Sequence, residues 1–166
     1  MSRLTLDDAR AIIDRGIEKA ASLTLRGSFV VVDEGGHPVS ISRMDGAPAA
    51  GVGVSRAKAY IAAMTHEPTT GFSGRMHAHP ERFAGYQTIL REPMFPGPGG
   101  MPIRKDGRVV GGFSTGPGIG PARKIAGIDA SRLMVDGEPA NAEDLVVAHA
   151  LEIPYTDQHP EPGPAR

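Results

Sequence analysis

Three histidines in the middle of the chain are candidates to bind a metal ion. His66, His77 and His79 all lie between Thr65 and Arg91. An H-x-H pair such as His77-Ala78-His79 is a common fragment of metal sites, although two imidazoles without a third ligand are a weak signal. The two would share one side of an extended segment but lie on different faces of a helix. The pattern is thus more typical of exposed loop histidines than of a metal site.

Lys58 is a cation on the border of an apolar helical stripe. The stripe is formed by Val54, Ala57, Ile61 and Met64 in a predicted helix from Val52 to Met64. A lysine in this position usually extends along the apolar surface to reach water. In a minority of helices it reaches into a pocket and holds a carboxylate, so both interpretations stay open.

A glycine-rich loop leads into a predicted hairpin. Pro96–Gly100 reads PGPGG, and Gly99 and Gly100 would let the backbone approach a neighbour closely. Asp106-Gly107 between two strand-like runs predicts a type I′ turn. Pro102 cannot donate a ladder hydrogen bond, which predicts that its strand lies at a sheet edge or begins there. Gly111-Gly112 indicates a bulge or a neighbour too close for a Cβ.

The remaining periodic segments predict an α+β fold. They are a helix from Leu6 to Leu23 capped by Thr5, a first hairpin from Ser28 to Arg43, and a last helix from Ala142 to Ile153 capped by Asn141. Thr65 to Arg91 is the least regular part, with a short helix predicted from Phe83 to Leu90. The expected architecture is a single antiparallel sheet of four to five strands flanked by helices.

Composition narrows the functional classes. The chain has 166 residues, a net charge of −1, no Cys and no Trp. No basic surface favours nucleic acid or an anionic membrane, and a thiolate metal site and disulfides are excluded. No apolar run approaches membrane-spanning length, and the charged N-terminus does not resemble a signal peptide, so we expect a cytoplasmic protein. The glycines from Gly116 to Gly120 lack the spacing of a dinucleotide-binding loop.

Several motifs, in this order and spacing, resemble the GlcG/HbpS family, the haem-binding or haem-degrading domain that also includes the C-terminal domain of PduO-type proteins. The motifs are Arg43–Pro48, Ser55–Ala63, Gly99–Ile103, Asp106–Gly111 and Ser114-x-Gly116. The resemblance implies a profilin-like α+β domain that assembles into dimers or larger oligomers. We expect one such domain over residues 1–153, followed by a proline-rich tail over residues 154–166.

Two departures from the family pattern bear on function. The first helix carries no histidine, whereas one branch of the family has a haem-ligating histidine there. About 25 residues, 117–141, are inserted before the acidic start of the last helix, where they could rebuild a pocket.

The resemblance implies, first, a protein that binds haem or a related tetrapyrrole. His66, His77 or His79 would ligate the iron, and Lys58, Arg43 or Arg104 would pair with the propionates.

The alternative is an enzyme of the lyase, isomerase or hydrolase type acting on a small carboxylated or oxygenated metabolite. Its pocket would lie among the Arg43–Asp45 turn, Lys58 and Gly99-Gly100, with Lys58 or Arg104 holding an anionic group. The Gly99 and Gly100 amides would stabilise an oxyanion, and His77 or His79 would transfer a proton. A third possibility is a non-catalytic accessory protein. No other cofactor is expected.

Overall fold

A computed structural model describes residues 3–116, 124–125, 128–129 and 134–156. The helices are α1 Leu6–Ser22, α2 Ala50–Thr65, α3 Thr69–Ala78, α4 Pro80–Ile89 and α5 Ala142–Ala150. The main strands are β1 Ser28–Asp33, β2 Pro38–Arg43, β3 Gly100–Lys105 and β4 Arg108–Gly116. The short strands are β5 Lys124–Ile125, β6 Ile128–Asp129, β7 Met134–Val135, β8 Glu138–Pro139 and β9 Tyr155–Thr156.

The main sheet is antiparallel, with the strand order β2-β1-β4-β3. Both predicted hairpins are confirmed, as is the α+β class. Asp106 and Gly107 have φ of 49° and 74°, as a type I′ turn requires. Pro102 lies in β3, an edge strand, where its missing N–H costs no ladder hydrogen bond. The register shifts where Arg104 pairs with Val109, so β4 carries the bulge beside Gly111.

Helices cover both faces of this sheet. On one face Val30 and Val32 of β1 pack against Ala59 and Ala63 of α2. On the other face a larger core joins α1 and α5 to the sheet. It includes Ile13, Phe29, Phe113, Leu145 and Val147. Successive side chains of β1 point to opposite faces of the sheet, and each face packs against its own core. All residues of β1 except Asp33 are therefore buried.

The caps predicted for the first and last helices are confirmed. The Thr5 hydroxyl accepts a hydrogen bond from the Asp8 amide, and the Asp8 carboxylate accepts one from the Thr5 amide. Asn141 and Asp144 form the same reciprocal box at the start of α5. Lys105 of β3 also donates to Asp8 at 2.6 Å, which ties α1 to the sheet edge. That ion pair and the bonds to Thr5 hold the pKa of Asp8 well below its usual range.

The segment from Thr65 to Arg91 corrects the sequence analysis. It is predominantly helical, and α3 occupies residues expected to form a loop. Helix α3 contains two glycines and two threonines in ten residues, so its intrinsic propensity is weak. It is stabilised instead by Phe72 and Met76, which pack with Ile61 and Met94. The short helix predicted from Phe83 to Leu90 is confirmed as the larger part of α4.

Much of the predicted insertion, 117–141, and of the tail, 154–166, lies outside the described residues. Within the described part, β7 pairs with both β8 and β9. Asp136-Gly137 forms the turn between β7 and β8, with φ of 50° and 81°. In the part of the chain that the structure covers, no helix is both long and apolar enough to cross a bilayer.

Gly112 shows why the paired glycines in β4 matter. A Cβ at Gly112 would lie far inside van der Waals contact with the carbonyl oxygen of Ala59 in α2. Backbone therefore packs directly on backbone where α2 crosses β4, and neither partner can move aside by rotating a side chain. This confirms the expectation of a neighbour too close for a side chain.

We predict that Gly112→Ala destabilises the protein by at least about 2 kcal/mol, because α2 must move off the sheet to admit the methyl group. Gly53→Ala in α2 is the matched control, since a Cβ there has no neighbour within 4 Å. It should stabilise the helix by about 0.5–1 kcal/mol. Urea denaturation of both variants checks this, and equal midpoints for Gly112→Ala and the unsubstituted protein would contradict it.

Candidate functional site

Lys58 of α2 is buried rather than extended to water. Lys58 is 1 % exposed, and its Nζ donates to the carbonyl oxygen of Pro98 at 2.7 Å. The same Nζ lies 2.5 Å from Oε2 of Glu143, on α5. Because α2 and α5 cover opposite faces of the sheet, this ion pair joins the two layers around the β3 edge.

Two neighbouring carboxylates share this site. Glu143 and Asp144 are the second and third residues of α5, where the positive end of the helix dipole stabilises acidic side chains. Asp144 is 2 % exposed and accepts hydrogen bonds from the Gly99 amide at 2.8 Å and from the Thr70 hydroxyl at 2.8 Å. We call Lys58, Glu143 and Asp144 the buried charge cluster.

Burial dominates the electrostatics of this cluster. It lowers the pKa of Lys58, although the charge of Glu143 opposes that shift. It raises the pKa of Glu143 and of Asp144, against the attraction of Lys58 and the bonds from Thr70 and Gly99. One cation faces two carboxylates, so a fully ionised cluster carries a net charge of −1 in a poorly solvated place. Such a site holds or exchanges a proton more readily than exposed carboxylates do.

The glycine loop closes over the cluster. Gly99 has a φ of 88°, and a Cβ there would lie 2.5 Å from Cβ of Glu143. Its amide donates to Asp144, and the Gly100 amide donates to the Thr69 hydroxyl at 3.0 Å. Both amides proposed as oxyanion donors thus bind protein groups in this structure. Lys58, Gly99 and Gly100 do come together, as the sequence predicted.

A cavity of about 960 Å³ lies beside the cluster, along the edge of β3. Its walls come from α1, the start of α3, β3, the end of β7, the start of α5 and residues 151–153 that follow α5. Apolar side chains form much of the lining: Ala11, Ile12, Met101, Pro102, Ile103, Leu151 and Ile153. Asp144 and Thr70 also line it, so one carboxylate belongs to both the cluster and the cavity.

Three cations line the same cavity. Arg15 of α1 donates through Nε to the carbonyl oxygen of Ala150, and Arg104 of β3 donates through Nη2 to that of His66, both at 2.8 Å. Each guanidinium is therefore oriented by a backbone carbonyl, which leaves its charge uncompensated by that bond. Lys105 is instead paired with Asp8. Of these three cations, only Arg104 was among the candidates from the sequence.

The Arg43–Asp45 turn lies on the other side of the sheet from this cavity. Arg43 ends β2, and β2 and β3 are opposite edges of the sheet. Arg43 donates to the Ala47 carbonyl at 3.4 Å, and the Asp45 carbonyl accepts from Arg26. The structure does not bring this turn together with Lys58 and Gly99.

The three histidines are exposed and do not converge. His66 caps α2 with a φ of 61°, and it precedes Glu67, which lines the cavity. His77 bonds to Ser73, and its Cα lies about 10 Å along α3 from that of Thr70. His79, between α3 and α4, lies 3.4 Å from Glu81. Within the described residues, no three His, Cys, Asp or Glu side chains could hold a metal ion together.

Sequence reasoning missed both carboxylates of the cluster and two cations of the cavity. A signal for Asp144 existed, since Asn141 is followed three residues later by an acidic residue, as in a capping box. It identified a helix cap but not a buried partner for Lys58. Arg15 gave no signal, because on the helical wheel it looks like an ordinary solvent-facing charge.

Comparison with curated proteins identifies one similar relative by sequence. Protein GlcG of Escherichia coli K12 is 31 % identical over 104 residues, which cover 62 % of this chain and 73 % of that protein. The same name and identity recur for Escherichia coli O6:H1.

Solved structures share the fold. Klebsiella pneumoniae protein ORFY aligns with a TM-score of 0.70 at 21 % identity, covering 92 % of this chain and 91 % of that one. A double mutant of Streptomyces reticuli HbpS aligns at 0.69 with 19 % identity, covering 92 % and 87 %. A PduOC–haem complex aligns at 0.68 with 18 % identity, covering 95 % and 100 %. A family model described as haem degrading protein HbpS-like matches residues 4–118, and the chain therefore belongs to the HbpS-like family.

Proposed function

We propose that this protein binds haem or a related tetrapyrrole in the cavity along the β3 edge. The observation that carries the proposal is the combination of an apolar cavity with two guanidinium groups, in a chain that belongs to the HbpS-like family. At about 960 Å³ the cavity is at the upper end of the range of roughly 300–1,000 Å³ typical of ligand pockets. A large, flat ligand is the kind that needs such a volume.

The residues present fit the periphery of a haem group. Met101, Pro102 and Ile103 offer apolar surface along β3, against which a macrocycle could lie. Arg104 and Arg15 would bind the propionates through charge-assisted hydrogen bonds. Both are held by carbonyl groups, so a ligand carboxylate would not have to displace a protein carboxylate from them. When bound, haem would supply an iron centre for redox or oxygen chemistry.

His66 is the best placed of the three candidate iron ligands. It adjoins Glu67 on the cavity wall, and its carbonyl oxygen already holds Arg104. His77 lies in the last turn of α3 and His79 directly after it, at the end of the helix away from this wall. His66 is exposed at the C-terminal end of α2, so this role would require the imidazole to turn into the cavity when the ligand binds.

We predict saturable one-to-one binding of hemin with a sharp Soret band. His66→Ala should shift or abolish this band, while His77→Ala and His79→Ala, the matched controls, should leave it unchanged. Spectrophotometric titration of the purified full-length chain provides the measurement. Non-saturable binding indifferent to all three substitutions would refute the haem proposal.

We further predict that Arg104→Gln weakens hemin binding by about tenfold. A hydrogen bond to a charged group contributes about 1.5 kcal/mol or more, and 1.4 kcal/mol corresponds to tenfold in Kd. Arg43→Gln, which removes the same charge on the opposite sheet edge, should leave Kd unchanged. Haem dimethyl ester, whose propionates are neutral, should bind Arg104→Gln and the unsubstituted protein alike. A tenfold loss with the ester as well would contradict a propionate contact.

A second function, acid–base catalysis on a small carboxylated metabolite, is favoured by the position of Asp144. This carboxylate is buried, lines the cavity and has a raised pKa. Arg104 or Arg15 could hold the anionic group of a substrate beside it. His77, His79 and Lys58 do not line this cavity, so Asp144 replaces them as the candidate acid–base group.

For this alternative we predict turnover of a small carboxylate, found by screening a panel of them, that needs no chromophore. Asp144→Asn should abolish it, and Asp136→Asn, an exposed carboxylate on the same cavity wall, should not. Since Asp144 also caps α5, thermal unfolding is measured in parallel, and Thr70→Val tests the carboxylate without removing it. The hydrogen bond from the Thr70 hydroxyl lowers the pKa of Asp144, so its removal should shift the pH profile of turnover to higher pH. Activity retained in Asp144→Asn would exclude this role.

A further inference from the structure

The polar groups of the cavity wall differ in whether they donate or accept hydrogen bonds. Arg15, Arg104 and Lys105 are donors only, because neither a guanidinium nor an ammonium group has an acceptor atom. These cations can bind the carboxylates of a ligand. The same wall also carries acceptors among its apolar side chains, and these acceptors restrict what else a ligand must present.

Thr70, the second residue of α3, is an acceptor toward the cavity. A hydroxyl has a single hydrogen, and the Thr70 hydroxyl donates it to Asp144, whose two carboxylate oxygens each lie 2.8 Å from Oγ1. The Gly99 amide donates to Oδ1 of Asp144 and the Asn141 amide donates to Oδ2, so both oxygens act as acceptors. Only the lone pairs of the Thr70 oxygen therefore remain for a ligand.

Pro102 of β3 adds a second acceptor to the wall. The Gly99 carbonyl accepts from the Thr115 amide, toward β4, whereas the Gly100 amide donates away from β4 to the Thr69 hydroxyl. Backbone groups alternate in direction along an antiparallel strand, so the Pro102 carbonyl also points away from β4. Proline has no N–H group, and this part of the strand edge thus offers an acceptor without a donor.

A metal-bearing macrocycle has no donor for these acceptors. Its pyrrole nitrogens bind the metal ion, and its propionates accept hydrogen bonds. A linear tetrapyrrole carries the same propionates and also exposes the N–H groups of its terminal rings. An acceptor that loses water and gains no donor when a ligand enters weakens binding, so the wall discriminates against a ligand that lacks an accessible N–H group.

We propose that Thr70 is a specificity-determining residue that accepts a hydrogen bond from a ring N–H group of a linear tetrapyrrole. Arg104 would bind a propionate of the same ligand. His66, whose carbonyl oxygen holds Arg104, is four positions before Thr70, so their Cα atoms are at most about 14 Å apart. A ligand of tetrapyrrole size can therefore reach both groups. This inference rests on the proposed function, because it uses the same cavity.

The test compares the binding of three ligands by absorbance titration of the purified full-length chain. Biliverdin is linear, whereas hemin and protoporphyrin IX enclose their ring nitrogens in a macrocycle. Thr70→Val should raise the Kd of biliverdin about tenfold, the equivalent of a single hydrogen bond of about 1.4 kcal/mol, and leave the Kd of both macrocycles unchanged.

Two further variants serve as controls. Thr70→Ser keeps the hydroxyl and should bind biliverdin as the unsubstituted protein does. Thr88→Val makes the same replacement in α4, where the hydroxyl donates to the Gly85 carbonyl away from the cavity, and should leave every Kd unchanged. Thermal unfolding of each variant is measured in parallel, and Thr70→Ala gives the same comparison if Thr70→Val does not fold.

The possible outcomes separate this inference from the haem proposal. Hemin binding without biliverdin binding, or a Thr70→Val variant that weakens all three ligands equally or none, overturns the specificity role and leaves the haem proposal standing. Biliverdin binding that depends on Thr70, in a protein that does not bind hemin, supports the inference and refutes the haem proposal. A protein that binds none of the three ligands refutes both.

Discussion

The ion pair between Lys58 and Glu143 is the contact on which the functional half of this molecule depends. It connects α2 on one face of the sheet with α5 on the other, and it fixes the glycine loop through the Pro98 carbonyl. Burying a charge pair costs several kcal/mol of desolvation per ion and is compensated only when the remaining donors and acceptors are satisfied. The Gly99 amide and the Thr70 hydroxyl provide that satisfaction for Asp144. Removing one partner would leave an unpaired charge inside the protein.

The cavity depends on the same arrangement because Asp144 belongs to both. Its carboxylate faces Lys58 electrostatically and shares Thr70 with the cavity wall. A ligand that enters would desolvate Asp144 further, which favours the protonated carboxyl. A ligand in the cavity would therefore favour protonation of Asp144. Arg104 and Arg15 differ from Asp144 in that their partners are neutral. Each donates to a backbone carbonyl oxygen, so its positive charge remains available to an anion.

The fold was more predictable from the sequence than the site. Period-two alternation, the Asp106-Gly107 turn and Pro102 were sufficient to predict the hairpins and the exposed edge of β3, because these signals are local. Helix α3 was not predicted because its intrinsic helix propensity is weak and it is stabilised by tertiary contacts of Phe72 and Met76. At the site, Lys58, Gly99 and Gly100 were identified, whereas Glu143 and Asp144 were not. Glu143 is 85 positions from Lys58 in the sequence, and the residue pattern around Lys58 gives no indication of which distant carboxylate pairs with it. Arg43 and Asp45 were misplaced because neighbouring sequence motifs can fall on opposite sheet edges.

The charged groups around the cavity differ in how the protein pairs them. The acidic residues of α5 are turned inward against Lys58, and Asp8 is neutralised by Lys105. On the cavity wall, Asp8 and Glu67 are paired with Lys105 and Arg75, whereas Asp136 and Glu152 line the cavity without an ion pair among the described residues. The guanidinium groups of Arg15 and Arg104 are oriented by carbonyl oxygens, so an anionic ligand would find two cationic donors on a wall that also carries carboxylates.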